Sequence, residues 1–154
     1  MGPRRRRPEP SPTQRALGLL TRREHSRQEL ARKLLQRGVE TAVAATVIDK
    51  LSAAGWQDDA RFAESLLRSR AGSGYGPGWI RAELATHGLG GELIAATLDG
   101  FEGDWAENAR DLLQRRHPQA LAGDRDARRK VMDFLLRRGF GMEHVRAAIN
   151  HDQA

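Results

Sequence analysis

Counted from three glycines, Gly38, Gly88 and Gly139, the apolar residues of this chain recur at fixed offsets. Four residues before each glycine stands Leu34, Leu84 or Leu135, and eight before stands Leu30, Ile80 or Val131. One residue after comes Val39, Leu89 or Phe140, and ten after comes Ile48, Leu98 or Ile149. The glycines lie 50 and 51 residues apart, and each stretch opens on a Leu-Leu-x-x-Arg element, at 19–23, 66–70 and 112–116. Positions −8 and −4 share one stripe of an α-helix. The glycine suits the left-handed residue that ends it, with the following apolar side chain folding back onto the turn. Position +10 then belongs to a third helix. The pattern predicts an all-α protein of three tandem three-helix repeats in an elongated, curved array, spanning 13–56, 57–102 and 103–154. The expected helices are 14–24, 26–37, 41–54, 58–71, 77–87, 91–99, 104–116, 125–138 and 142–150.

Local signals place several helix ends. Ser26 with Glu29 reads as a capping box, and Asp104 with Glu107 resembles one. Pro77 suits a first helical position, where its missing N–H costs nothing, and Asp58 or Asp59 suits an N-cap. A repeat of this size buries little apolar surface alone, so contacts between repeats should add to stability. Phe62, Trp79, Leu30, Leu34, Leu84 and Leu135 are expected to hold the repeats together. Residues 1–12 carry four prolines and four adjacent arginines and are expected to be a disordered basic tail.

Composition agrees with helices. Ala, Leu and Arg dominate the 154 residues, while aromatics reach only 5%. Cysteine is absent, which removes disulfides, thiolate chemistry and Cys-ligated zinc. No apolar run approaches the roughly 18 residues of a membrane span. The basic N-terminus is followed by prolines rather than the apolar core of a signal peptide. A cytoplasmic protein without membrane contact is expected. The net charge is +6, which favours an acidic protein surface or a nucleic acid as partner. It is uneven: the first repeat carries +4, the second −3 and the third +2.

Catalytic chemistry finds little footing. The histidines at 25, 87, 117, 144 and 151 are scattered, without metal-ligand spacing, and read as surface or turn residues. Asp58 and Asp59, as neighbours on a helix, diverge rather than pair. The loop Gly72-Ser73-Gly74-Tyr75-Gly76-Pro77 lacks the strand and Gly-Lys-Ser/Thr of a phosphate loop, though the helix start after it suits a weakly held anion. The helix–turn–helix spacing invites base-specific reading, yet the helices after Gly38 and Gly88 offer only Lys50 as a basic residue. Basic residues gather instead on two second helices: Arg32 and Lys33, opposite the Leu30/Leu34 stripe, and Arg128, Arg129, Lys130, Arg137 and Arg138. Pairs such as Glu29–Lys33 and Asp133–Arg137 would offset part of that charge.

The stretch Asp58-Asp59-x-Arg61-Phe62-Ala63, then Arg70, then Gly74-x-Gly76-Pro77-x-x-Ile80-x-x-Glu83-Leu84, resembles the central signature of the RecX family. Ser26-x-x-Glu29-Leu30-x-x-Lys33-Leu34-x-x-Arg37-Gly38, Leu51-x-x-x-Gly55 and the Arg-Arg-Gly-Phe turn at 137–140 extend the resemblance over residues 13–150, leaving the arginine tail outside it. The resemblance implies a non-enzymatic, monomeric regulator, without cofactor, that binds RecA and RecA–DNA filaments and touches DNA weakly. Such proteins restrain RecA ATP hydrolysis, strand exchange and coprotease activity, in DNA repair and the SOS response. The expected contacts are Arg22, Arg23, Arg32, Lys33 and Arg37 in the first repeat, with Arg128, Arg129, Lys130, Arg137 and Arg138 in the third. The rival expectation is a helical repeat module that binds DNA without sequence preference and has no protein target.

Overall fold

The computed structural model describes residues 2–150, with Leu121 described by its backbone alone. Among them, nine α-helices and one 3-10 turn make up the regular structure. The first repeat is α1 (Pro12–Leu20), α2 (Arg27–Gln36) and α3 (Thr41–Ala53), and the second is α4 (Asp59–Gly72), α5 (Pro77–Thr86) and α6 (Gly91–Asp99). The third is α7 (Trp105–Arg116), α8 (Arg125–Arg137) and α9 (Met142–Asn150), with the 3-10 turn Ala120–Ala122 between α7 and α8. No helix among the described residues is long and apolar enough to cross a membrane. The chain forms two compact units, one ending at Phe62 and the other beginning at Ala63. The first repeat therefore shares its unit with the start of α4, while the rest of the second repeat is joined with the third.

The three glycines do what their spacing predicts. Gly38, Gly88 and Gly139 have φ of 84, 72 and 94°, a region open to glycine without steric cost. In the first repeat the Gly38 N–H donates to the Leu35 carbonyl at 3.0 Å and the Val39 N–H to that of Leu34 at 3.1 Å. Gly139 and Phe140 repeat this on Leu136 and Leu135, at 3.0 and 3.2 Å. These paired bonds satisfy carbonyls that a helix end otherwise leaves unpartnered. All six residues at −8 and −4 are buried, none more than 2% exposed.

Two further registers emerge. Four residues before the second leucine of each Leu-Leu pair stands an alanine, Ala16, Ala63 or Ala109, and all three have 0% exposure. On the third helix the recurrent buried position is +6, held by Ala44, Ile94 and Val145. At +10, Ile48 and Ile149 are buried but Leu98 is only half-buried. Separate apolar clusters form around Leu30, Leu34 and Ile48 in the first repeat and around Leu113, Leu135 and Val145 in the third.

Several helix ends differ from expectation. α1 begins at Pro12, because Ser11 and Gln14 form a reciprocal capping box, with the Ser11 Oγ accepting from the Gln14 N–H at 3.1 Å. It stops at Leu20, where the Thr21 hydroxyl turns back to the Gly18 carbonyl at 2.9 Å, so Arg22 and Arg23 lie beyond the helix. Residues 2–10 are exposed and carry no regular secondary structure. Asp58, not Asp59, caps α4, its Oδ1 accepting from the Arg61 N–H at 3.0 Å.

The glycine-rich loop is a joint within the second unit. The Gly76 N–H donates to the Arg138 carbonyl at 2.8 Å and the Gly78 N–H to the Gly139 carbonyl at 2.9 Å. The α5 N-terminus, read as open to an anion, is thus already engaged by the carbonyls at the end of α8. The approach leaves no room for side chains: a Cβ on Gly76 would lie 2.5 Å from the Phe140 amide nitrogen, and one on Gly139 would fall on the Trp79 backbone. Gly74, at φ 88°, would press a Cβ to 2.8 Å from a Leu112 methyl. Trp79 departs from expectation: its backbone packs against Gly139, but the residue is 44% exposed, and its ring stacks on Tyr75.

Gly76→Ala and Gly139→Ala should each destabilise the protein by on the order of 3 kcal/mol, combining overpacking with, at Gly139, left-handed strain. Gly90→Ala, with open space around it, should stay within about 0.5 kcal/mol of the parent. Urea unfolding followed by circular dichroism checks all three. Leu30→Ala should cost about 2–5 kcal/mol in the same assay.

Candidate cationic interface

Of the expected contacts in the first repeat, Arg23 is committed inside the fold. Its guanidinium pairs in bidentate fashion with Glu29, Nη1 to Oε1 at 3.0 Å and Nη2 to Oε2 at 2.6 Å, and Nη1 also donates to the Glu24 carbonyl. Glu29 is buried at 7% exposure, and its carboxylate meets Arg23. The Ser26 half of the expected capping box is present, with Oγ accepting from the Glu29 N–H at 3.1 Å. Lys33 approaches the same carboxylate at 3.9 Å, whereas the Asp133–Arg137 pair does not form.

His25 completes this cluster and is not the surface residue its isolation suggested: it is 1% exposed. Its Nδ1 lies 3.0 Å from the Arg23 carbonyl, which only accepts, so Nδ1 carries the proton. That leaves Nε2 to accept from the Lys33 ammonium at 3.2 Å. Gln57, also buried, bridges the His25 carbonyl and Asp59. Burial lowers the His25 pKa, and the Arg23 and Lys33 charges add to this against the opposing effect of the Arg23 carbonyl and Glu29. For Glu29, burial alone would raise the pKa, but the Arg23 hydrogen bond and the charges of Arg23, His25 and Lys33 hold it below its ordinary value.

Arg22, Arg32 and Arg37 are exposed. Arg22, Lys33 and Arg37 line one groove between α1 and α2, together with Arg15, a residue the repeat pattern did not single out. In the third repeat, Arg129, Lys130 and Arg137 are exposed and Arg128 is half-buried. Arg138 is held within its unit, with its guanidinium carbon 4.5 Å from the Tyr75 ring centre and 5.4 Å from that of Phe134. Arg137 lines a second groove with Trp79, Arg81 and Leu136.

The signature residues are occupied structurally. Asp59 accepts from the Arg27 N–H at 2.8 Å, fixing the start of α2. Arg61 binds Glu24 at 2.6 Å and the Trp56 carbonyl at 3.0 Å. Arg70 and Glu83 pair in bidentate fashion at 2.8 and 2.7 Å. Phe62, Ile80 and Leu84 are buried, and Pro77 opens α5. Among the described residues, no group of three or more His, Asp or Glu is placed to hold a metal ion.

Both titrations weaken the first repeat in acid. A histidine with a depressed pKa gives its full stabilisation above the ordinary value of 6.5 and loses it as pH falls through the folded value. Glu29 contributes fully above 4.5 and loses its share as pH falls further. The urea midpoint should therefore fall in two stages on acidification, and His25→Gln should flatten the first stage only.

Comparison with known proteins agrees with this architecture. Family models described as the first, second and third three-helix domains of RecX match residues 13–51, 58–98 and 102–149. A protein named Regulatory protein RecX from Stenotrophomonas maltophilia (strain R551-3) is 58% identical over 150 residues, covering 97% of this chain and 92% of its own. One of the same name from Xanthomonas axonopodis pv. citri (strain 306) is 58% identical over 148 residues, covering 96% and 91%. Among solved structures, RecX from Lactobacillus salivarius superposes with a TM-score of 0.78 at 21% identity, covering 93% of this chain and 96% of its own, a likeness of fold. A regulatory protein RecX superposes at 0.75 with 26% identity, covering 91% and 71%. Matched in all three repeats and along nearly its whole length, the chain belongs to the RecX family of regulatory proteins.

Proposed function

We propose that this protein binds RecA and RecA–DNA filaments and restrains RecA ATP hydrolysis, strand exchange and coprotease activity without being an enzyme itself. The observation that carries this reading is identity of more than half, over nearly the whole chain, to proteins named as regulators. The surface chemistry supports it. Exposed cations concentrate on the first and third repeats, where Arg22, Arg32 and Arg37 and Arg129, Lys130 and Arg137 leave charge available to an acidic protein surface or to filament phosphates. The guanidinium groups of Arg23 and Arg138 are already engaged within the fold, which leaves the other cations more of the proposed contact. Rim charges of this kind act mainly on encounter rate and orientation.

Titrating the protein into a RecA ATPase assay on single-stranded DNA should depress turnover to a plateau; unchanged turnover at saturation rejects the reading. Converting Arg129, Lys130 and Arg137 to Glu together should weaken inhibition by about tenfold, or 1.4 kcal/mol, with helicity retained. Arg23→Glu should instead lower the unfolding midpoint, because it removes the bidentate partner of the buried Glu29 and sets a second carboxylate beside it. The rival DNA-binding module predicts tight association with bare DNA and a steep fall in affinity with salt. Weak binding to bare DNA beside tight binding to filaments separates the two.

A further inference from the structure

The groove between α1 and α2 is lined by four cations, Arg15, Arg22, Lys33 and Arg37, and by no carboxylate. Its volume is about 500 Å³, and its apolar lining comes from Leu19 and Leu34. Glu29 offsets Lys33 from 3.9 Å away but is itself committed to Arg23. Arg15, Arg22 and Arg37 form no ion pair among the described residues. Three arginines elsewhere in the same unit are paired: Arg23 with Glu29, Arg27 with Asp49 and Arg61 with Glu24. Three cations without an ion-pair partner among the described residues, Arg15, Arg22 and Arg37, therefore share one concave place.

Pro10 also lines this groove. Arg7 lies three residues upstream of it and closes the run Arg4–Arg7. Three residues span at most about 11 Å, so Arg7 lies near the groove mouth, at a distance comparable to the Debye length of about 8 Å at physiological salt. Tail and groove thus form one cationic track.

We propose that this track docks an extended acidic peptide segment of a partner protein, with carboxylates on the arginines and an apolar side chain against Leu19. The inference deepens the reading of the first repeat as a protein-contacting surface and rests on it. The groove chemistry favours a peptide over nucleic acid. No aromatic residue lines it, so it offers none of the stacking platforms that hold single strands. A duplex presents its phosphates on a stiff convex surface, which does not enter a groove of this volume. Guanidinium forks match carboxylates in bidentate fashion, and flexible Asp or Glu side chains reach into a concave site.

The test is fluorescence anisotropy with the full chain and a labelled peptide of repeating Glu-Glu-Leu, beside a Gln-Gln-Leu control and an oligo-dT competitor of equal length. The acidic peptide should bind and the control should not. Arg15→Glu with Arg22→Glu should weaken binding by about tenfold or more, and Arg37→Glu, on an exposed residue, provides an independent variant. Changing Arg4–Arg7 to Ser should weaken binding by about threefold and flatten its salt dependence. Binding unaffected by these changes, with helicity intact, overturns the proposal. So does oligo-dT that displaces the peptide and loses affinity in the same variants, because the groove is then a nucleic-acid site. Peptide binding without RecA inhibition rejects RecA as the target and leaves the groove standing; RecA inhibition without peptide binding rejects the groove alone.

Discussion

Two stretches of bare backbone meet where Gly76 and Gly78 lie against Gly139. The carbonyls at the end of α8 accept from amides at the start of α5, so each helix end satisfies groups the other leaves unpartnered. The partial charges are also of opposite sign, negative at the end of α8 and positive at the start of α5. Such an approach requires that no Cβ intervene, and Gly139 serves it twice over. Its left-handed φ turns the chain out of α8, and its missing side chain admits the Trp79 backbone. From Ala63 on, the second repeat forms a single compact unit with the third, and this backbone joint lies within it. It also occupies two amides that a phosphate at this loop would need.

The arginines divide by geometry into two populations. Arg61 and Arg70, which belong to the family signature, and Arg23 hold carboxylates at 2.6 to 3.0 Å and fix how helices leave their turns. Arg138 fills the space between two aromatic rings. The second population, Arg15, Arg22, Arg32, Arg37, Arg129 and Arg137, has no ion-pair partner among the described residues. The central-signature residues Asp59, Arg61, Arg70 and Glu83 are thus engaged in contacts that build the fold.

Much of the fold was legible because helix ends and stripes are local. A left-handed glycine, a capping aspartate and an apolar stripe leave traces within a few residues of one another. What stayed hidden depends on neighbours far along the chain. Alanine is common in exposed and buried helix positions alike, so the fully buried Ala16, Ala63 and Ala109 carried no distinguishing mark until their common register appeared. Glu29 reads as half of a capping box from spacing alone, while its carboxylate also holds Arg23 six residues earlier, a partner the spacing does not announce. His25 seemed isolated because its partner Lys33 and the bridging Gln57 are 8 and 32 residues away. At the candidate interface, sequence located the basic helices but not which cations were already engaged, since engagement is decided by tertiary contact.

Leaving cations together without a carboxylate is unfavourable for the isolated protein, because like charges around one groove repel and each lacks the partner that Arg23, Arg27 and Arg61 have found. The same unit supplies acidic residues where structure requires them, so a shortage of acids does not account for the arrangement. Local departures from the otherwise consistent pairing of a fold tend to mark places selected for contact rather than stability. The repulsion is modest while the groove is open to water and salt. It is relieved when an anionic partner enters, which makes binding at this place stronger than the same cations, individually paired, could achieve.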